Sequence, residues 1–226
     1  MVNDIVRAWV DGWVVSRGAA PPAAEPWGWT IDVGHLEHAS RHVLGAVNEG
    51  VEEAVVRKVA DSVTGAGVWL KAFRDPSETA AWLDGAWWID PEPGYLMSVP
   101  LEASAAPPPA PDGHRLRRWQ VGGTTRVMIA APDGSLAARG QIAVTGPTAV
   151  ADQIETAPAH RRKGLGSVVM RTLQHAAAEQ GARTGVLAGT PAGRALYASL
   201  GWRTVAPLTS AKFLGRGGET AGREAS

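Results

Sequence analysis

Cysteine is absent from the 226 residues, which excludes disulfides, thiolate metal sites and a cysteine nucleophile together. Its absence fits a reducing compartment, and the cytoplasm is the expected location. Net charge is absent too, because Lys+Arg 22 balance Asp+Glu 22. A balanced chain has no global field to draw in nucleic acid or an anionic membrane, so any anion site must be local. Neither a nucleic-acid nor a membrane partner is expected. No run approaches the ~18 consecutive apolar residues of a transmembrane helix. Met1–Ser16 is interrupted by Asp4, Arg7 and Asp11, so it does not read as a secretory signal. Phe and Tyr number two each against ten Trp, so tryptophan must supply much of the aromatic core. Trp82, Trp87 and Trp88, with Trp69 and Trp27/Trp29, read as core first and as an aromatic pocket second.

What is present is an α+β pattern. Residues 3–16 read as an amphipathic helix, with Ile5, Trp9 and Trp13 four apart. Residues 29–33 alternate like a strand, and a helical stretch is expected from about 35 to 63, broken near Gly45 and Gly50. His35, His38 and His42 would then share a helix face. Three ligands from one short helix make a poor tetrahedral site, so no metal is expected. Residues 67–73 and 94–100 read as strands, with a short helix from 75 to about 83 capped by Asp75 or Ser77. Residues 103–113 are small residues and prolines with little to bury. They suggest a boundary near 105, between a lobe of 1–105 and a domain of 106–214, with 215–226 as a disordered tail.

The second half is plainer. Residues 114–121, 124–131, 136–145 and 149–156 read as strands joined by tight turns, an antiparallel meander. Helix 164–180, strand 184–188, helix 191–200 and one or two strands in 202–213 follow. Thr190 and Pro191 occupy the cap and first position of the second helix.

Chemistry concentrates at the junction Pro158–Ser167, which holds Arg161, Arg162, Lys163, Gly164, Leu165, Gly166 and Ser167. A helix N-terminus offers up to four unpaired N–H groups and a partial positive charge near +0.5, both suited to an anion. Glycines at 164 and 166 admit a phosphate to the backbone, and three cations add charge. The loop is neither a Walker A motif nor a dinucleotide fingerprint, since Val169 stands where the third glycine belongs.

What remains, R-x-x-G-x-G at Arg161, Gly164 and Gly166, resembles the signature [QR]-x-x-G-x-[GA] of the GNAT superfamily of N-acetyltransferases. Downstream, Leu196-Tyr197-Ala198-Ser199-Leu200-Gly201-Trp202 is similar to that superfamily's L-Y-x-x-L-G-[FW] segment. The resemblance covers roughly residues 124–213. It implies a mixed, mostly antiparallel GNAT-like sheet with flanking helices, and acetyl-CoA as acyl donor on the 161–167 loop. It also implies that the backbone of strand 149–156 pairs with the pantetheine arm, with Ile154 and Thr156 facing it. Tyr197 would then stand near the cofactor sulfur as general acid.

The implied reaction is direct attack by an amine in a ternary complex, on a small-molecule acceptor or a peptide. Asp152 and Glu155 are the candidate bases on that strand; alternation puts them on opposite faces, and Asp152 is favoured as sharing a face with Ile154 and Thr156. A non-catalytic acyl-CoA-binding module is the alternative. The superfamily's helices between its first two strands have no room after residue 121. Either residues 1–105 supply the acceptor wall or the site is open. That N-terminal α/β lobe reads as such a wall or as a degenerate second GNAT-like half. It carries no second R-x-x-G-x-G, so one site is expected. Acceptor and oligomeric state stay open.

Overall fold

The computed structural model describes residues 2–102 and 108–216. In chain order the elements are α1 (Val2–Arg17), β1 (Ala23–Glu25), β2 (Gly28–His35), β3 (His38–Val47), α2 (Glu53–Ser62), β4 (Val68–Phe73), α3 (Pro76–Thr79), β5 (Trp87–Ile89) and β6 (Gly94–Pro100). Then come β7 (Arg115–Val121), β8 (Thr124–Ala130), β9 (Leu136–Thr145), β10 (Thr148–Thr156), α4 (Leu165–Glu179), β11 (Thr184–Gly189), α5 (Pro191–Ser199) and β12 (Arg203–Phe213).

The strands form one twelve-stranded sheet in the order β1-β2-β3-β4-β12-β6-β11-β10-β9-β8-β7, with β5 also on β12. Only β3–β4 and β10–β11 pair in parallel among the described residues. The order has an internal two-fold character. β2 and β3 form an antiparallel hairpin, and α2 connects β3 to the parallel β4. β9 and β10 repeat that hairpin, and α4 connects β10 to the parallel β11. Each half then gives its last strand to the other: β6 pairs with β11, β12 pairs with β4, and β6 and β12 pair with each other. The hydrogen-bonded sheet therefore runs across the composition boundary near 105, because β6 is built in among strands that follow it. Of the 103–113 segment, 103–107 lie outside the described residues, as does the expected tail from 217 onward. Arg216, placed in that tail by composition, donates to the Ala60 carbonyl at 3.2 Å.

The helix expected over 35–63 is a correction. Its first part is the strand β3, and only Asn48–Gly50, a single 3-10 turn, and the α-helix Glu53–Ser62 are helical. Gly34, at φ 77, allows the tight β2–β3 connection, and a left-handed glycine of this kind is a hairpin signal. Val43 packs in one cluster and its neighbour Leu44 in another, so this part of the strand is covered on both faces and shows no clean alternation. The three histidines consequently share no helix face. His38 lies against Trp13 and Trp69, whereas His42 meets Trp27 and the Thr30 hydroxyl, 3.0 Å away.

Three apolar clusters result. α4 and α5 cover one face of the second half, around Val169, Leu173 and Trp202. α2 covers the corresponding face of the first half, around Val59, Trp87 and Phe213. α1 lies on the opposite face and spans both halves, burying Trp9 and Trp13 against Val43, Phe73, Val150 and Val186. Truncating either tryptophan to alanine costs about 3–5 kcal/mol by analogy with other cores. α1 comes this close because residue 12 is glycine: a Cβ there would sit 2.3 Å from Val150 Cγ2. Trp88, by contrast, is exposed, so the tryptophans 69, 82, 87 and 88 do not gather into one pocket.

Candidate active site

The site begins where β10 leaves β11. Their parallel pairing covers only Thr148–Val150 against Thr184–Val186 and then stops. Beyond it the strands diverge, and Gln153, at φ 53, forms a bulge that shifts the β9–β10 register between Asp152 and Glu155. Residues 151–156 thus present a backbone edge with no strand partner on the β11 side. In the first half, β3 and β4 pair again at Val47 and Phe73 after an irregularity that follows Val43–Lys71, so the two strands are held together further along.

The bulge also corrects the expected facing. Asp152 points to α1, where it accepts from Ser16 Oγ at 2.8 Å and from Arg17 Nη2 at 2.8 Å, with Arg17 Nε completing a fork. Ile154 instead packs towards α4, its Cδ1 2.6 Å from where a Gly140 Cβ would stand, beside Val169 and Leu173. An extra residue in a strand reverses the alternation beyond it, so Asp152 and Ile154 lie on opposite faces. Gln153 N–H donates at 2.9 Å to Asp152 Oδ1, the oxygen that also accepts from Arg17 Nη2. With both oxygens engaged, Asp152 is tied down as the anchor of the α1 C-terminus, together with Gln141, which donates to the Ser16 carbonyl at 2.7 Å. Glu155 is exposed and paired with Arg139 at 2.9 Å.

At the open end of the gap stands the start of α4. Its first backbone bond runs from Val168 N–H to the Gly164 carbonyl at 3.2 Å. The N–H groups of Gly164, Leu165, Gly166 and Ser167 therefore have no backbone acceptor among the described residues. Gly164 is in the left-handed region at φ 77, and nothing lies within 4 Å of a Cβ built on it, so the space off its Cα is open. Gly166 serves a different purpose from the one its motif suggests: a Cβ would meet Leu196 Cδ2 at 2.9 Å, so it lets α5 approach α4. Leu165 is buried and offers the site only its backbone. Arg161 donates to the Thr156 carbonyl at 3.3 Å and Lys163 to the Ala159 carbonyl at 3.1 Å, bracing the loop. Arg162 is exposed at φ 62, with no side-chain acceptor among the described residues. The connection entering α2 carries Glu49, Glu52 and Glu53 instead, a charge that repels an anion.

Tyr197 stands on α5 with its ring against Gly189 and Gly193. A Cβ on Gly189 would lie 2.7 Å from the ring, so β11 must end in glycine for the tyrosine to reach the gap. Burial, and secondarily the charge of Asp152, push its hydroxyl up to about 12. Thr190 caps α5 by accepting from Gly193 N–H at 3.3 Å, and Pro191 takes the first position, as expected.

Residues from before 103 line the far side of a cavity beside the gap. This open cavity of about 210 Å³ lies between Ala151, Asp152, Gly189 and Thr190 on one side and Trp9, Trp13, Arg17, Arg41 and Lys71 on the other. Arg41 and Lys71 are buried, and neither was singled out from sequence. Lys71 did leave a signal, a lone cation inside the apolar run Val68–Phe73. Arg41 left none once its strand was read as helix. Among the described residues no group of three or more His, Asp or Glu side chains is placed to hold a metal. No helix among them is long and apolar enough to cross a membrane.

The cationic wall has a consequence for His38. Burial first, then the charges of Arg41, Lys71, Arg17 and His35, lower its pKa to about 3 from 6.5. The unfolded chain takes up this proton as pH falls through 6.5 and the folded chain does not, so its contribution to stability is intact above 6.5 and is lost towards about 3. Urea unfolding across that range should show wild-type stability falling more steeply with acid than that of His38→Asn; parallel curves would remove His38 from the account.

Residues 94–202 match the model of the acetyltransferase (GNAT) family. Among solved structures, the chain is similar to a GCN5-related N-acetyltransferase from Kribbella flavida, at 19% identity and a TM-score of 0.62, over 96% of each chain. A tandem GNAT protein from the clavulanic acid biosynthesis pathway matches at 15% identity and a TM-score of 0.54, over 95% of this chain and 96% of that one. A GNAT-family protein from Novosphingobium aromaticivorans matches at 17% and 0.53, over 92% and 95%. No curated protein matches the chain. Residues 94–202 form a GNAT acetyltransferase domain, and the fold of the whole chain is GNAT-like. The family is one of acyl-transferring enzymes.

Proposed function

We propose that the protein is an N-acetyltransferase that moves the acetyl group of acetyl-CoA to an amine by direct attack in a ternary complex. One observation carries the reading: where β10 and β11 part, the amides that open α4 have no backbone acceptor among the described residues, and Tyr197 on α5 packs against the glycine that ends β11. The amides of Gly164, Leu165, Gly166 and Ser167 take the diphosphate, with Arg162 adding charge and Arg161 and Lys163 bracing the loop. The pantetheine arm enters the β10–β11 gap and pairs with the backbone around Ile154 and Thr156. A backbone N–H of β10 polarises the thioester carbonyl.

Tyr197 then donates a hydrogen bond to the departing sulfur. At about 12 it keeps its proton, and full transfer to a thiolate, whose conjugate thiol ordinarily titrates near about 8.5, is uphill. Its role is therefore to stabilise developing charge more than to complete a proton transfer. Asp152 positions α1, since its oxygens are engaged, and Glu155 lies outside the lining of the cavity. The amine is rendered neutral by the cations around it, which disfavour an ammonium, and its proton leaves to solvent.

The test is to mix the protein with acetyl-CoA and a panel of primary amines and to follow free thiol. Amine-dependent release is expected. Binding of acetyl-CoA with no turnover on any amine would favour a non-catalytic acyl-CoA module, a reading motivated by the lack of a free carboxylate at the gap. No affinity for acetyl-CoA would end both.

A further inference from the structure

Two buried cations face the cavity beside the gap with no carboxylate within ion-pair distance. Arg41 is 8% exposed, and its guanidinium lies 3.9 Å from the Trp13 ring centroid. Its only side-chain hydrogen bond among the described residues is a long one, 3.4 Å, to His38 Nε2. Lys71 is 9% exposed, donates to the neutral Ser210 hydroxyl at 2.7 Å and sits 4.6 Å from the Trp69 ring centroid. Burying an unpaired charge is costly, and folded proteins pair such charges or use them.

The acids near this cavity do not supply the missing partner. Asp152 is committed to Arg17. Asp90, which acts on Lys71 at longer range, is half-buried in the cavity lining, and Glu92 is exposed at its rim. On its other side Arg41 also lines a second cavity, of about 510 Å³, which continues past Arg17 and Trp13. That cavity is lined by Arg126, Arg139, His35 and His38 as well, and by no aspartate or glutamate at all. Arg41 stands at the junction, with one face covered by indole and its edge left to meet a planar anion in a bidentate fork.

We propose that the acceptor amine also bears a carboxylate, and that Arg41, assisted by Lys71, holds that carboxylate while the amine reaches the gap between β10 and β11. The inference rests on the N-acetyltransferase reading for the fate of the amine, but the anion site stands on its own geometry. Burial and the charge of Arg17 already depress Arg41 to about 9, a penalty that a bound anion relieves. A zwitterionic acceptor also answers the proton question: the field that grips its carboxylate disfavours its ammonium form.

The experiment compares amino acids with the corresponding amino-acid amides as acceptors, by kcat/KM for thiol release. In parallel, N-acetyl amino acids and N-acetyl amino-acid amides are titrated calorimetrically into protein saturated with coenzyme A. The acids should be preferred by roughly 30-fold or more. Arg41→Gln should bring the ratio close to one, and Arg41→Lys should restore part of it by keeping the charge without the fork. If Arg41→Gln does not fold, the wild-type ratio and Lys71→Met, which should reduce the preference, decide the matter. Equal use of acids and amides overturns the proposal and leaves the transferase standing. So does a preference that survives Arg41→Gln in folded protein. If no amine is turned over, tighter binding of N-acetyl acids than of amides sustains the anion site while the transferase reading falls. If neither probe class binds at millimolar concentration, the site is overturned.

Discussion

Tyr197→Phe should lower kcat by roughly 10²–10³-fold, the usual loss when one donor to a developing negative charge is removed, with little change in affinity for acetyl-CoA. The ring stays wedged against Gly189 and Gly193 whether or not it carries a hydroxyl, so packing survives the change. Because the hydroxyl titrates at about 12, the wild-type kcat profile should show no loss attributable to this group below about pH 10. A thioester whose thiol is a stronger acid needs less stabilisation on departure, so the variant should be less impaired with it. An unchanged kcat, with chemistry shown to limit turnover, would take the sulfur contact away from Tyr197. The same shift has a signature in stability. The unfolded tyrosine loses its proton near 10.0 and the folded one near 12, so folding stability falls as pH rises through that interval.

Gly164→Val should have the second large effect, on the donor. A valine at φ 77 is held in a region that β-branched residues rarely enter. Strain of about 1–3 kcal/mol is relieved by turning the peptide, and that turns the amides that open α4. The Kd for acetyl-CoA should rise by about 5- to 150-fold. Space for the side chain exists, since nothing lies within 4 Å of a Cβ there, so a clash cannot be the cause. A calorimetric Kd unchanged in a variant that folds would count against the amides as the anion site. Gly166→Val is a useful contrast. Its Cβ meets Leu196, so its damage should appear in thermal stability as well as in binding.

Much of the second half was legible in sequence because its signals are local. A basic glycine loop sits between a strand and a helix, Thr190-Pro191 opens the next helix, and tight turns separate alternating strands. The first half was less legible for a physical reason. Around Val43 and Leu44, β3 is covered on both faces, by α1 and by α2, so its apolar residues follow neither period cleanly. The exchange of β6 and β12 between halves has no sequence signature, since it depends on pairing partners far apart in the chain, such as Pro100 with Thr184 and Ala72 with Thr209. The bulge at Gln153 was also hidden, and it alone reversed the face assigned to Asp152 relative to Ile154. The cations lining the cavity were missed for a related reason: Arg17, Arg41 and Lys71 come from three separate elements and meet only once α1 is laid across both halves.

The central claim is that four main-chain amides at the head of α4 hold the diphosphate of coenzyme A. The direct measurement is a titration of isotope-labelled protein with coenzyme A, following each backbone amide resonance. The amides of Gly164, Leu165, Gly166 and Ser167 should move most and saturate together, and those entering α2 at Glu52 and Glu53 should stay still. Saturable binding that leaves the first four unmoved, or that perturbs the α2 entrance instead, would contradict the account.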